Sequence, residues 1–288
     1  MTAISLVLCT RNRADRLARC LSHIKALRRS VHWELIVVDN GSSDSTPEVL
    51  EKFARFASFP VQVLSEITPG LGRARNCGWQ ATTGEIVAFT DDDCYVLPNF
   101  LEEALKVFAD PKIGYCGGRI KLFDASDFPI TINESNVPDV FPPYKHLAAG
   151  VIQGANMIFR RKTLIGIEGF DDTLGAGTPF PCEDIDACAR AAFAGWWGAY
   201  APGPTVLHAH GRKAGDVAAL SRGYAIARGA YAAKFILQPD TRRCYLRFWG
   251  RHLASWSRCP APYRRECFYE IQGAIQYCCR KLFVSKAG

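Results

Sequence analysis

The alternation of short β-forming apolar runs with stretches of helical spacing across the first 120 residues constrains this chain more than any other feature. Ile4-Ser5-Leu6-Val7-Leu8-Cys9 reads as a strand, and Leu17, Cys20, Leu21, Ile24 and Leu27 then recur on one helix face. Glu34-Leu35-Ile36-Val37-Val38 predicts a second strand, and residues 46–56 a helix with Pro47 in its first turn. A strand over 61–64, a helix over 72–81, a strand over 85–90 and a helix over 99–108 continue the pattern. Strands separated by helices connect through right-handed crossovers, which predicts an α/β fold with a mostly parallel central sheet flanked by helices. Ligands of such sheets bind beyond the carboxyl ends of the strands.

Polar clusters fall where that rule places a site. Thr10-Arg11-Asn12 follows the first predicted strand, Asp39-Asn40-Gly41-Ser42 the second and Asp91-Asp92-Asp93 the fourth. Adjacent carboxylates repel, so a triplet at the end of an apolar strand calls for a cation or a hydrogen-bonded ligand. Strand side chains alternate, which predicts Asp91 and Asp93 on one side and Asp92 on the other. An Asp-X-Asp pair can chelate a hard metal or hold a metal-diphosphate; a solvated acidic turn or helix N-cap is the competing reading.

With 288 residues, 48% of them hydrophobic, the chain can bury a large core. No apolar stretch approaches the roughly 20 residues of a transmembrane helix. No charged segment followed by an apolar one opens the sequence, so the protein is expected in the cytoplasm. Twelve cysteines lack CxxC or zinc-like spacing and read as reduced core residues. The net charge of +7 is concentrated at the end: residues 241–288 carry ten Lys/Arg against Glu266 and Glu270, a local net of +8. Aromatics interleave with these charges, as suits peripheral attachment to an anionic membrane surface, here the inner face of the cell membrane. Nucleic acid is a weaker alternative, and a helical appendage with its arginines in water is the plain one. The expected division is an α/β domain over 1–215 and a basic helical C-terminal region over 216–288. Within the first, 114–123 and 152–159 look strand-like and 124–147 reads as a long loop.

The ordered blocks Thr10-Arg11-Asn12-Arg13, Val37-Val38-Asp39-Asn40-Gly41-Ser42, Gly70-Leu71-Gly72-Arg73-Ala74-Arg75-Asn76, Phe89-Thr90-Asp91-Asp92-Asp93, Gly154-Ala155-Asn156 and Cys182-Glu183-Asp184 resemble inverting glycosyltransferases of family 2, with the GT-A fold. The resemblance spans roughly residues 3–212, and six blocks in order are more specific than any one of them. It implies a nucleotide-diphosphate-sugar donor bound with Mn²⁺ or Mg²⁺, and a saccharide or lipid-linked saccharide acceptor. It implies that Asp39 accepts from the nucleobase imide, compatible with UDP or dTDP, and that Thr10 and Arg11 line base and ribose. It places Arg73 near base or diphosphate, Asp91 near ribose and diphosphate, and Asp93 on the metal, with Asp92 open. A downstream histidine completes the metal shell in many such proteins; His208 and His210 are both candidates, with His210 favoured. Gly154 and Asn156 would let the donor sugar approach closely.

By the same resemblance Asp184 is the general base that takes the acceptor proton, and Glu183 contacts the acceptor or orients the loop. Both acids also suit the first turn of a helix. Gly175 to Pro181 reads as a flexible segment able to close over substrates. Trp196-Trp197 suits packing better than sugar stacking, and Cys94 and Cys182 carry no assigned chemistry. The expected activity is a metal-dependent inverting transfer in surface polysaccharide or lipopolysaccharide synthesis. A sugar nucleotidyltransferase is the rival enzyme, disfavoured because Thr10-Arg11-Asn12-Arg13 is not glycine-rich. A nucleotide-sugar-binding protein without catalysis is the non-enzyme rival.

Overall fold

Alternate residues of the first two strands bury on opposite faces, and this sets the layers. In β1 (Ile4–Thr10), Ile4, Leu6 and Leu8 enter one core while Val7 and Cys9 enter another; in β2 (Trp33–Asp39), Leu35 and Val37 separate from Ile36 and Val38 in the same way. A strand buried on both sides reads as a continuous apolar run, which is why these stretches show no polar alternation. The computed structural model describes residues 2–254 and 261–284.

β1 pairs in parallel with β2 and with β4 (Ile86–Asp91), and β2 pairs in parallel with β3 (Val61–Ser65). The nine-stranded sheet continues from β4 through β8 (Asn156–Arg160), β6 (Ile113–Leu122) and β9 (Trp197–His208) to β5 (Cys94–Val96), with β7 (Asp139–Phe141) also on β9. β8, β5 and β7 run against their neighbours, while β6 and β9 keep the direction of β1 to β4. The sheet is therefore mostly parallel, with antiparallel strands in its second half.

Helices α1 (Leu17–Lys25), α2 (Thr46–Arg55) and α4 (Phe100–Val107) cover one face through Leu17, Cys20, Ile24, Leu50, Phe53, Phe100 and Leu101. Helices α3 (Leu71–Gln80), α5 (Arg161–Gly166) and α6 (Glu183–Phe193) cover the other. α7 (Val217–Leu237), α8 (Pro239–Ala254) and α9 (Ala261–Val284) join that second core, contributing Ala230, Tyr231, Phe235, Tyr245, Ala274 and Tyr277. The expected boundary at residue 215 falls just before α7, yet the core runs across it.

Glycine permits the closest contact among these helices. A Cβ at Gly229 of α7 would overlap the Glu270 carbonyl of α9, and one at Gly273 would overlap the Ile226 carbonyl, so the two backbones touch.

Two expectations need correction. The predicted strand over 152–159 begins only at Asn156, because Asn156 N–H closes a turn onto the Gln153 carbonyl. Within the expected loop over 124–147, residues 139–141 form β7 on β9.

Candidate active site

β4 ends at Asp91, the chain turns at Asp92 and Asp93, and β5 starts at Cys94. Strand alternation therefore stops before it can divide the triplet, and all three acids line one cavity of about 660 Å³. This corrects the expectation that Asp92 points away. The three differ in partner instead of face.

Asp91 Oδ1 accepts from Arg75 Nη2 at 3.1 Å. Asp92 Oδ2 accepts from the Thr10 hydroxyl at 2.7 Å, and its Oδ1 lies 3.3 Å from Arg13 Nε. Asp93 Oδ1 lies 3.4 Å from His208 Nε2 and accepts weakly from Cys94 Sγ at 3.5 Å. Burial raises the Asp91 carboxyl and pushes Asp92 up to about 6 against the pull of Thr10 and Arg13. Burial would raise Asp93 too, but the His208 hydrogen bond and charge hold it below the ordinary value.

Arg75 crosses beneath the corner. It lies on the buried stripe of α3 with Gly72, Gly78 and Trp79, only 2% exposed, and its Nη1 donates to Glu183 Oε1 at 2.6 Å. Burial pushes the Glu183 carboxyl up to about 7; Arg75 pulls it down, and neighbouring Asp184 adds to the rise. Asp184, also in the first turn of α6, faces the cavity. Its Oδ2 accepts from Gly154 N–H at 2.8 Å and its Oδ1 from Ile185 N–H at 2.7 Å. Two backbone donors and the positive end of a helix thus fix a carboxylate on the same cavity as the acidic corner.

Thr10, Arg11 and Gly154 also lie on the wall. Asp39 is set back: it stands opposite Thr10 in the β1/β2 register and accepts from Ser42 N–H at 3.3 Å, between the wall residues Thr10 and Asn40. Arg73 points to Asp172, 3.4 Å away. Asn156 is fully buried, and its amide donates to the Arg119 and Pro204 carbonyls, so it braces β6 and β9 beneath the wall. Trp196 sits under the Lys162 ammonium and Trp197 is partly exposed; neither lines the cavity.

His208, not the favoured His210, stands beside Asp93. β9 ends at His208, which is the register partner of Cys94, whereas His210 lies beyond the strand with its Nδ1 accepting from Arg212 N–H and 3.7 Å from Asp127. His210 Nε2 is buried without a hydrogen-bond partner among the described residues, and the two rings stand 4.9 Å apart.

Sequence reasoning assigned no role to Arg75 or Arg13, although both sit inside quoted blocks. It also had no signal for Arg212, Tyr224, Ala227 and Arg228, which bring α7 to the cavity wall. Arg212 donates to the Tyr224 hydroxyl at 2.9 Å, and Arg228 is paired with Glu266 and Glu270 of α9.

A mostly parallel sheet whose carboxyl ends present an acidic corner, with a helix-borne carboxylate on the same cavity, is the arrangement of the GT-A fold. The chain belongs to glycosyl transferase family 2, whose model matches residues 5–165. It is 28% identical over 260 residues to the pre-mycofactocin glycosyltransferase of Mycobacterium tuberculosis, covering 88% of this chain and 52% of that protein; the chain thus spans about half the length of this relative. Among solved structures, the mannosyltransferase PcManGT of Pyrobaculum calidifontis with GDP-Man and Mn²⁺ matches with a TM-score of 0.67 at 20% identity, covering 96% of this chain and 86% of that one. Staphylococcus aureus TarS 1-349 with UDP-GlcNAc also gives 0.67, at 16% identity, covering 96% and 81%. These structural likenesses concern the fold.

Proposed function

We propose that this glycosyltransferase moves a sugar, with inversion, from a nucleotide-diphosphate-sugar to a hydroxyl of a saccharide or lipid-linked saccharide acceptor, in a metal-dependent reaction. The observation that carries this reading is Asp184: a carboxylate anchored by two backbone N–H groups on the same cavity as the acidic corner. One positioned base suffices for inversion. Asp184 takes the proton of the acceptor hydroxyl, the acceptor oxygen bonds to the anomeric carbon from the face opposite the diphosphate, and the glycosidic carbon–oxygen bond to the diphosphate breaks.

The donor set fits a divalent cation. Asp93 and His208 supply oxygen and nitrogen 3.4 Å apart at the corner, and Asp91 flanks them. His210, with its orphaned Nε2, is the second candidate. When bound, Mn²⁺ or Mg²⁺ would offset the charge that builds on the leaving diphosphate. Asp92, held by Thr10 and Arg13, keeps the first loop against the corner. Asp39, at the end of β2, suits an imide donor such as that of uracil or thymine; guanine carries a comparable N–H, so GDP-sugars belong in the trial set. Arg11 faces the same cavity, while Arg73 would have to leave Asp172 to reach the donor.

The surface of α8 and α9 supports peripheral membrane attachment. Glu266 and Glu270, the only acids of residues 241–288, turn to Arg228, and Leu246, Phe248, Phe268, Ile275 and Leu282 are exposed among the basic residues. Among the described residues no helix is long and apolar enough to cross a membrane; Trp256, Arg258 and Lys286 lie outside the described residues. A role in surface polysaccharide or lipopolysaccharide synthesis would follow from such a setting.

The test is a panel of UDP-, dTDP- and GDP-sugars with mixed saccharide acceptors, assayed with Mn²⁺ and with excess chelator. Transfer with inverted anomeric configuration that chelator abolishes is expected. Retention at the anomeric carbon, or turnover indifferent to chelator, would overturn the inverting or the metal-dependent part respectively.

A further inference from the structure

The donor atoms at the acidic corner are not all hard. Cys94 opens β5 as the register partner of His208 on the antiparallel strand β9, so the two side chains leave the sheet side by side on the same face. Cys94 Sγ lies 3.5 Å from Asp93 Oδ1, and His208 Nε2 lies 3.4 Å from that same oxygen. One oxygen, one sulfur and one nitrogen fall within 4.8 Å of one another.

The two edges that meet at Asp93 Oδ1, 3.5 Å to sulfur and 3.4 Å to nitrogen, have the length of tetrahedral edges. A tetrahedral ion with bonds of about 2.0–2.3 Å sets its ligands about 3.3–3.8 Å apart. Octahedral Mg²⁺ at about 2.1 Å draws neighbouring ligands to about 3.0 Å and prefers oxygen throughout. A thiolate in the set shifts preference toward borderline and soft cations.

We propose that Asp93, Cys94 and His208 form a three-ligand site for a divalent cation of the Zn²⁺ and Cd²⁺ class, with Cys94 as the thiolate ligand. Asp93 and His208 line the cavity, while Cys94 is buried, 1% exposed, beside Asp93. On binding, the Cys94 S–H bond breaks, a sulfur–metal bond forms and the proton passes to solvent; no atom changes oxidation state. Three protein ligands leave a fourth position for water or a phosphate oxygen. The proposal rests on the reading of Asp93 and His208 as cation ligands of sugar transfer, and its consequence is competition: a thiolate-seeking ion occupies the corner in place of the ion that supports transfer.

The experiment titrates Cd²⁺ into the metal-stripped full chain, with no nucleotide sugar present, and follows the ultraviolet thiolate-to-cadmium charge-transfer band. Wild type is expected to show a saturable band. Cys94→Ser is expected to lose it and to bind Cd²⁺ at least about 10-fold more weakly, and His208→Ala to keep the thiol but lose affinity to a similar degree. An unchanged band in Cys94→Ser, or none in wild type, overturns the site. Should Cys94→Ser fail to fold, cadmium NMR of wild type decides: a resonance in the one-sulfur range supports the site, and one in the oxygen and nitrogen range contradicts it. Because no donor or acceptor is used, failure here leaves the transfer reaction to its own assay, and an inactive protein with an intact Cys94 band would count against transfer alone.

Discussion

Arg75 and Glu183 form a buried ion pair, Nη1 to Oε1 at 2.6 Å, with side chains 2% and 6% exposed. Through Nη2 the same guanidinium reaches Asp91, so one cation joins the acidic corner to the helix that carries Asp184. Gly154 packs on that guanidinium, since a Cβ there would meet Arg75 Nη2 at 2.5 Å. Arg75→Met would leave Glu183 buried beside Asp184 with no counter-charge. A loss of about 3–5 kcal/mol is expected, read from urea unfolding. Arg75→Lys would restore the charge without the two-pronged reach and should recover only part of that loss.

A second buried cation joins α7 to α6. Lys234 Nζ lies 2.7 Å from Asp171 and 2.6 Å from Asp186, and Asp186 is fully buried and also paired with Arg190. Despite burial, which works the other way, the ammonium holds the Asp171 carboxyl well below its usual range. Lys234→Met should destabilise the protein by about 3–5 kcal/mol. The unfolding transition should remain single, because α7 and α6 share one core; two separated transitions would mean that the C-terminal helices fold independently.

The α7/α9 crossing gives a steric version of the same claim. Gly229→Val or Gly273→Val places a side chain where the facing backbone already lies. The strain should cost about 1–3 kcal/mol, and more if the helices must separate. Gly250, with nothing near its Cβ position, is the control, and Gly250→Ala in α8 should be neutral or slightly stabilising.

Stability should depend on pH through His146. It stacks on Phe248 at 3.5 Å between ring centroids and meets Tyr245 edge-on, and burial lowers it from 6.5 to about 4. Below pH 6.5 the unfolded chain takes up a proton that the folded chain refuses until about 4, so this residue makes stability fall as pH drops across that window. His146→Gln should show a shallower fall between these values in thermal melts. An identical slope in wild type and variant would show that His146 keeps its ordinary titration.

Much of this was legible because the physics is local. Residues of β1 and β2 bury on both faces, so their apolar runs announce a covered parallel sheet, and the polar blocks then mark its carboxyl ends. Arg75 was legible in principle: it falls on the helical stripe of Gly72, Gly78 and Trp79, where a charge demands a buried partner. Which histidine stands beside Asp93 was not, because that depends on the β5/β9 register that pairs Cys94 with His208. Asp92 was misplaced because the strand ends one residue before it. The wall formed by Tyr224, Ala227 and Arg228 depends on how α7 docks, and no spacing within α7 encodes that contact.

We propose that Asp184 removes the acceptor proton at a site whose other half binds the donor. The direct measurement is single-turnover transfer by Asp184→Asn, paired with donor affinity by calorimetry, using the nucleotide sugar that wild type consumes. A fall in transfer rate of about 10²–10⁴-fold with donor affinity unchanged is expected. Transfer at the wild-type rate in Asp184→Asn would contradict it.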